Sequence, residues 1–346
     1  MSEEAQRPES RGYLAASKVE IKYTFARFHR RVFANLIDFL LCMLVFVGLF
    51  VGLRAIVINT PGYVQNETSL LDTRVASGLY VRQSNGKVVD VVTYVGIAEY
   101  NFDAYNKMKR CEDAITKFIQ YAKTEAGEEA SFKVQGDFNV YIVKGNWNYE
   151  GIPYFVQKDS NWTRNRDCPA PYIDYYNKIY GPYIDEHAQG FLITLIPHYL
   201  DCVRYETVML IAAELVPAYL TAPFLTYLLP MLLFRRGRMT LGKFAYHIGV
   251  INKDLLVPSW KRTLARFFIF YGAEMVLAPF TFAIPFIVSV SLMAFSKGHQ
   301  GLPDYFLSLY EVDTTNSKLY FSREEIVFEG GPSTKEPVKF QPTYED

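Results

Sequence analysis

Apolar residues gather in three long blocks, 32–57, 206–234 and 263–296, with polar intervals between them. Each block is long enough to cross a bilayer, which takes about 20 residues rising ~1.5 Å each. The first block follows a basic cluster of Arg27, His29, Arg30 and Arg31, and it encloses one amide, Asn35, and one carboxylate, Asp38. A charge at such depth costs roughly 3 kcal/mol or more unless paired or hydrated. Asp38 lies about two helical turns beyond Arg31, so both project from nearly one face. The second block carries Glu214 and three prolines, Pro217, Pro223 and Pro230. Each proline frees a backbone carbonyl that a neighbour or water must satisfy. The third block, with Glu274, is about 45 Å long from 266 to 295 as one helix, too long for an upright span. Pro279 and Pro285 sit near its middle. It reads either as one tilted, kinked span, leaving the C-terminus outside, or as two short spans broken around 278–281, leaving it inside. The basic residues that follow, Lys297 and His299, favour the hairpin.

The polar intervals differ in kind. Residues 1–31 lack a strong period and read as a cytoplasmic tail. Residues 58–200 form an insertion too long for a simple loop. Within it, 87–95, 132–143 and 152–156 have strand-like composition, 145–151 is rich in turn residues, and 106–124 has helical spacing with Met108, Ala114, Ile115, Phe118, Ile119 and Ala122 on one side. Residues 171–189 read as a helix interrupted at Gly181 and Pro182. The sum is a small extracytoplasmic α+β domain whose many tyrosines fit a half-buried core better than a binding face or a membrane belt. The short apolar stretch 190–200, with Pro197, packs at the interface or under that domain. Residues 235–262 form a basic cytoplasmic loop with a strand over 246–251, a turn over 252–255 and a helix start at Pro258-Ser259. Residues 297–346 are a tail of mixed charge, partly disordered.

The 346 residues are 50% hydrophobic and 16% aromatic with formal net charge +0. That zero averages unequal segments: residues 1–33 carry seven Lys/Arg, and 235–266 carry eight against the single acid Asp254. Neither segment interleaves aromatics with its charges, which argues against nucleic acid as a partner. Basic segments beside apolar blocks belong on the cytoplasmic side of a cell membrane. The first block lacks a cleavage site and reads as a retained anchor. Of the four cysteines, Cys42 lies in the first block; an oxidising exterior would allow Cys111 and Cys168 to pair, with free thiols the equal alternative. No nucleophile elbow, phosphate loop or metal-ligand spacing stands out, so neither an enzyme nor a cofactor is expected.

Three patches together resemble the RDD family of small membrane proteins. The first is Arg31-x-x-Ala34-x-x-x-Asp38. The second is Gly237-Arg238-Met239-Thr240-Leu241-Gly242-Lys243, followed by Gly249-Val250-Ile251-Asn252 and the Arg262 to Arg266 helix start. The third is Phe295-Ser296-Lys297 leading to Gln300-Gly301-Leu302-Pro303-Asp304. The resemblance covers about 27–57 and 207–312 and leaves the insertion outside it. It implies that Arg31, Asp38 and Asp304 are the family's motif residues, and that cation/proton exchange is one activity to expect. The chain departs from the family in having Pro303 before Asp304, where a His is usual.

The expected architecture is a membrane all-α bundle of three or four transmembrane helices, the hairpin favoured, plus the α+β domain. Asp38, Glu214 and Glu274 come from three different helices and define a path for a monovalent cation or proton. The alternative is a static Arg31–Asp38–Asp304 cluster that locks the helices together. An Arg31–Asp304 contact requires an even number of spans, hence four helices with both ends inside. The expected partners are the lipid bilayer, a second copy of the chain, and an unidentified ligand or protein for the insertion. A non-transporting anchor, scaffold or sensor acting through that insertion is the competing function.

Overall fold

The structure, a computed structural model, describes residues 23–158, 161–296, 298–315 and 318–325. The expected disorder of the two tails therefore falls largely outside the described residues. The chain divides into two compact units, one formed by Met1–Leu53 with Leu215–Asp346, the other by Arg54–Glu214.

Among the described residues three helices are long and apolar enough to cross a membrane: Phe28–Val57, Pro197–Leu233 and Trp260–Phe280. Their large apolar side chains face outward, as Leu36, Phe39, Leu40, Met43, Leu44 and Val47 do on the first, which is how a helix meets lipid. The second helix starts about ten residues earlier than its hydropathy suggests. Ile196 is held in an extended conformation ahead of Pro197, and Pro197 opens the new helix.

The third apolar block folds back on itself. Ser259 caps the helix Trp260–Ile269, which widens into π-helical turns over Phe270–Val276. A tight turn at Ala278–Phe280 follows, and Phe282 and Ala283 both take left-handed φ, +49° and +58°. The returning helix is Ile284–Phe295. Its 12 residues make it about 18 Å long. The return is required by a small sheet. Ile248–Asn252 pairs antiparallel with Leu309–Asp313, Val250 standing opposite Glu311. Phe25 bridges to Val312 on the other edge, with Asp313 N–H donating to the Thr24 carbonyl at 2.9 Å. Segments before the first span, between the second and third, and after the last helix thus meet at one place. The stretch between residues 252 and 309 thus begins and ends at the same small sheet, and the last apolar block turns back on itself rather than running as one helix. The beginning of the C-terminal tail is correspondingly a buried strand. Leu309 and Val312 are fully buried, and Val312 packs with Tyr23, Ile251, Leu255, Val257 and Leu319. A short helix, Leu241–Ala245, precedes the strand Ile248–Asn252, where a strand alone was expected from 246.

The second unit is mostly helical, with three two-stranded antiparallel hairpins, Tyr80–Arg82 with Val88–Asp90, Asn148–Tyr149 with Ile152–Pro153, and Phe155–Lys158 with Asn161–Arg164. The predicted helix stripe is borne out over Ala104–Ala126, where Met108, Ala114, Ile115, Phe118 and Ala122 are buried and Ile119 is half-buried. Three local expectations are corrected. Residues 132–143 belong to the helix Glu128–Gly145, because Ala130, Val134, Phe138 and Ile142 recur every fourth residue and all are buried against the neighbouring helix. The strand expected over 87–95 ends at Asp90, whose carboxylate caps a helix Val91–Gly96 by accepting from Thr93 N–H. The helix expected to break at Gly181-Pro182 runs through, because wide turns over Tyr176–Tyr180 let Gly181 N–H reach back to the Tyr176 carbonyl just before the proline. Tyr154, Tyr175, Tyr180 and Tyr183 fill the core with Phe118, Phe138 and Phe155. Leu192, Ile196 and Tyr199 pack beneath, so 190–200 is a floor of this unit.

Candidate functional site

The site is assembled where the small sheet meets the starts of the apolar helices. Thr240 caps the helix Leu241–Ala245: its hydroxyl accepts from Lys243 N–H and donates to Asp38 Oδ2. Asp38 Oδ1 accepts from Gly242 N–H at 2.7 Å. The short helix thus presents its N–H groups to a carboxylate in the first span, an arrangement that stabilises negative charge. Gly242 is obligatory there. A Cβ would stand 2.0 Å from the Ala34 carbonyl and 3.0 Å from Asp38 Cγ. Ala34, one turn before Asp38, is fully buried for the same reason. The motif residues Ala34, Asp38, Thr240 and Gly242 are therefore one packing solution.

The partners of Arg31 and Asp304 differ from expectation. Arg31 is 1% exposed. It donates to the His299 carbonyl at 2.5 Å and the Glu311 carbonyl at 2.9 Å, and its Nε is 3.8 Å from Glu311 Oε2. Asp304 takes a two-pronged contact from Arg266, at 2.5 and 2.7 Å. Arg266 also reaches Glu311 Oε1 at 3.0 Å, and Lys243 Nζ donates to the same oxygen. Arg31 therefore pairs with neither Asp38 nor Asp304. The physical reason is reach: Arg31 extends to the strand Leu309–Asp313, while Arg266, on the helix beside Leu302–Leu307, takes the nearer acid. At the rim Arg30 bonds Asp313 and the Tyr246 carbonyl.

Three buried cations (Arg31, Lys243, Arg266) thus lie with three buried carboxylates: Asp304 and Glu311 pair with them directly, and Asp38 is held by Thr240 and Gly242. Burial alone would raise the Glu311 carboxyl. Lys243, Arg31 and Arg266 outweigh it and hold the group well below its usual 4.5. Lys243 and Arg266 stand in the quoted motif patch without an assigned partner, and Glu311 was not singled out from the sequence. The one available signal was Glu311 as the lone acid facing inward from an apolar strand; Arg266 shares its helix face with exposed Arg262, and no pattern separates them.

The other two candidate acids have different partners. Glu274 is 8% exposed and lies in the π-helical segment Phe270–Val276. Its Oε1 has no hydrogen-bond partner among the described residues. Glu214 belongs to the second unit, in the π-helical segment Met209–Leu215, and receives Arg54 at 3.0 Å. Arg54 is held in turn by the Tyr63 hydroxyl at 2.9 Å. Among the described residues no hydrogen bond or ion pair links Asp38 to Glu274.

Cys111 and Cys168 are free thiols: Cys111 is sealed in the core of the second unit, and the Cys168 thiol points at the Ile152 carbonyl, 3.7 Å away. One pair that sequence reasoning missed lies on an open cavity of about 580 Å³ in the second unit, where Ser69 Oγ and His198 Nε2 are 2.7 Å apart. Among the described residues no carboxylate bonds the other ring nitrogen, so the pair lacks the orienting group of a catalytic triad.

Long apolar helices tied at one end by a buried charge cluster define an integral membrane protein. Residues 192–308 match the RDD family, so the chain carries an RDD family domain that includes Glu214, Lys243, Arg266, Glu274 and Asp304. Arg31 and Asp38 precede the matched stretch, and Glu311 follows it by three residues. No curated protein and no solved structure matches the chain.

Proposed function

We propose that this membrane protein exchanges a proton for a monovalent cation across the bilayer, with Glu274 as the proton-carrying group. The observation that supports it is the contrast among the buried acids. Asp38, Asp304 and Glu311 are each committed to fixed donors, whereas Glu274 keeps one oxygen unpartnered in a widened segment of a span. An intramembrane carboxylate of this kind is costly unless it takes up a proton or an ion, and π-helical turns recur at working sites. Arg31, Asp38 and Asp304 then serve as the lock that fixes the helices around it. The reading includes four crossings with both chain ends cytoplasmic, the 54–214 unit outside, a homo-oligomer to enclose the path, and no enzymatic activity.

The test is proton movement in proteoliposomes carrying a trapped pH dye, driven by an imposed cation gradient. Glu274→Gln should insert and keep its unfolding midpoint, since the amide keeps the side-chain volume and an oxygen for the Ser289 hydroxyl, while cation-dependent proton flux disappears. Undiminished flux in Glu274→Gln, or no flux in the wild-type protein, refutes the proposal.

A further inference from the structure

A second set of charges surrounds the same end of the helices and is not used by the buried cluster. Arg235 is exposed two residues past the end of the second span at Leu233, and Lys261 and Arg262 are exposed in the first turn of the third span. Arg238 lies between them, its Nε donating to the Pro258 carbonyl at 3.4 Å. The last turn of the second span, Leu229–Leu233, packs against Trp260–Ile269 and brings the two ends together. Arg238 is in a left-handed backbone conformation, φ +48°, which a non-glycine residue adopts only under constraint. Burial and the neighbouring Arg235 both push its guanidinium pKa down, a sign of two like charges held close. The acids of this region are engaged elsewhere: Asp254 faces Arg323 at 4.0 Å and Glu325 faces Arg236 at 3.9 Å. Among the described residues Arg235, Arg238, Lys261 and Arg262 have no carboxylate partner, and Lys261 contacts only the Trp260 ring, at 5.8 Å from its centroid. Two cations in the first turn of a helix also oppose its dipole.

Four unneutralised cations within a turn or so of span ends lie at the level of lipid headgroups. The apolar surface beside them supports that depth. Leu233 is 69% exposed, Trp260 55% and Phe244 53%, and Phe244 stacks on Phe234 at 4.7 Å. Tryptophan beside Lys and Arg is a usual anchor at a membrane surface, and phenylalanine and leucine supply the apolar face that enters it. We infer that Arg235, Arg238, Lys261 and Arg262 form a binding site for the phosphate of an anionic phospholipid, which neutralises them and holds the second and third spans together at that face. A lipid is favoured over a soluble anion because the apolar side chains around the cations would sit among acyl chains.

The experiment uses the full-length protein in detergent. Titration with dioleoylphosphatidylglycerol should raise the unfolding midpoint, with a weaker response to dioleoylphosphatidylcholine and none to inorganic phosphate. Replacing all four cations with Gln should weaken the apparent phosphatidylglycerol affinity by about five-fold per cation removed. Lys87→Gln with Lys133→Gln, which removes two exposed charges of the 54–214 unit, should leave it unchanged. If the four-site variant does not fold, Lys261→Gln with Arg262→Gln carries the same comparison at two exposed positions. An unchanged phosphatidylglycerol response in these variants overturns the site, and equal stabilisation by inorganic phosphate overturns the lipid as its occupant.

Discussion

Replacing Glu311 with Gln tests the charge cluster at its centre. The carboxylate receives Lys243, and it lies 3.0 Å from Arg266 and 3.8 Å from Arg31. The substitution keeps the volume and leaves three buried cations facing two acids. A unit charge pair at about 4 Å is worth ~4 kcal/mol at an effective dielectric of ~20, and stranding one partner of a buried ion pair typically costs ~3–5 kcal/mol. A loss of ~3–5 kcal/mol is therefore expected, which at ~2–4 °C per kcal/mol lowers the unfolding midpoint by roughly 10 °C. Adding Lys243→Gln to Glu311→Gln restores neutrality with two cations and two acids. The pair should recover part of the loss, with a coupling of ~1–3 kcal/mol in the double-mutant cycle. Tryptophan fluorescence during thermal unfolding in detergent, with size-exclusion chromatography as a check on folding, reads both quantities. A Glu311→Gln midpoint within about 2 °C of wild type, or losses that simply add in the double variant, would refute the view that these charges compensate one another.

Gly242→Ala drives a methyl group into the Ala34 carbonyl, so it should cost at least ~2 kcal/mol and show as lower monodisperse yield, whereas Gly86→Ala, which meets nothing within 4 Å, should cost only the strain of its positive φ. Thr240→Val deprives Asp38 of its hydroxyl donor and should destabilise by ~1–3 kcal/mol, while Thr240→Ser should be near wild type in the same melt. Because the folded Glu311 carboxyl titrates well below 4.5, its stabilisation is fully present above about pH 4.5 and is lost as pH falls toward the folded value; the wild-type midpoint should drop on acidification below about pH 4.5 and Glu311→Gln should drop less. Cys168 should react with a maleimide in the native protein and Cys111 only after denaturation, and a disulfide-linked peptide containing both would contradict the free-thiol geometry.

Much of the membrane part was legible because its signals are local. Block length, the flanking Arg and Lys, and the paired prolines of the last block each follow from what a bilayer demands of a single segment. The helix Ala104–Ala126 was legible through its 3.6-residue period. The misread stretch 132–143 is rich in Val, Tyr and Ile, and its β-favouring composition hid a four-residue spacing that packing against Ala104–Ala126 rewards. At the site, the sequence drew attention to Arg31, Asp38 and Asp304 but not to their partners. Arg31 and Glu311 are 280 residues apart in the chain, and no spacing rule connects them.

The sequence by itself determined that this chain inserts in a membrane, where its apolar blocks lie, and which acids lie inside them, because lipid and period act on contiguous segments. Only the tertiary structure decided that the last block turns back, that Asp38 is served by Thr240 and Gly242, that Asp304 belongs to Arg266, and that Glu311 gathers three cations. Those outcomes depend on which side chain reaches which partner once the sheet formed by residues 24–26, Ile248–Asn252 and Leu309–Asp313 has closed. A buried charge must be matched within a few ångströms, and distance in space is what the linear order of residues leaves open.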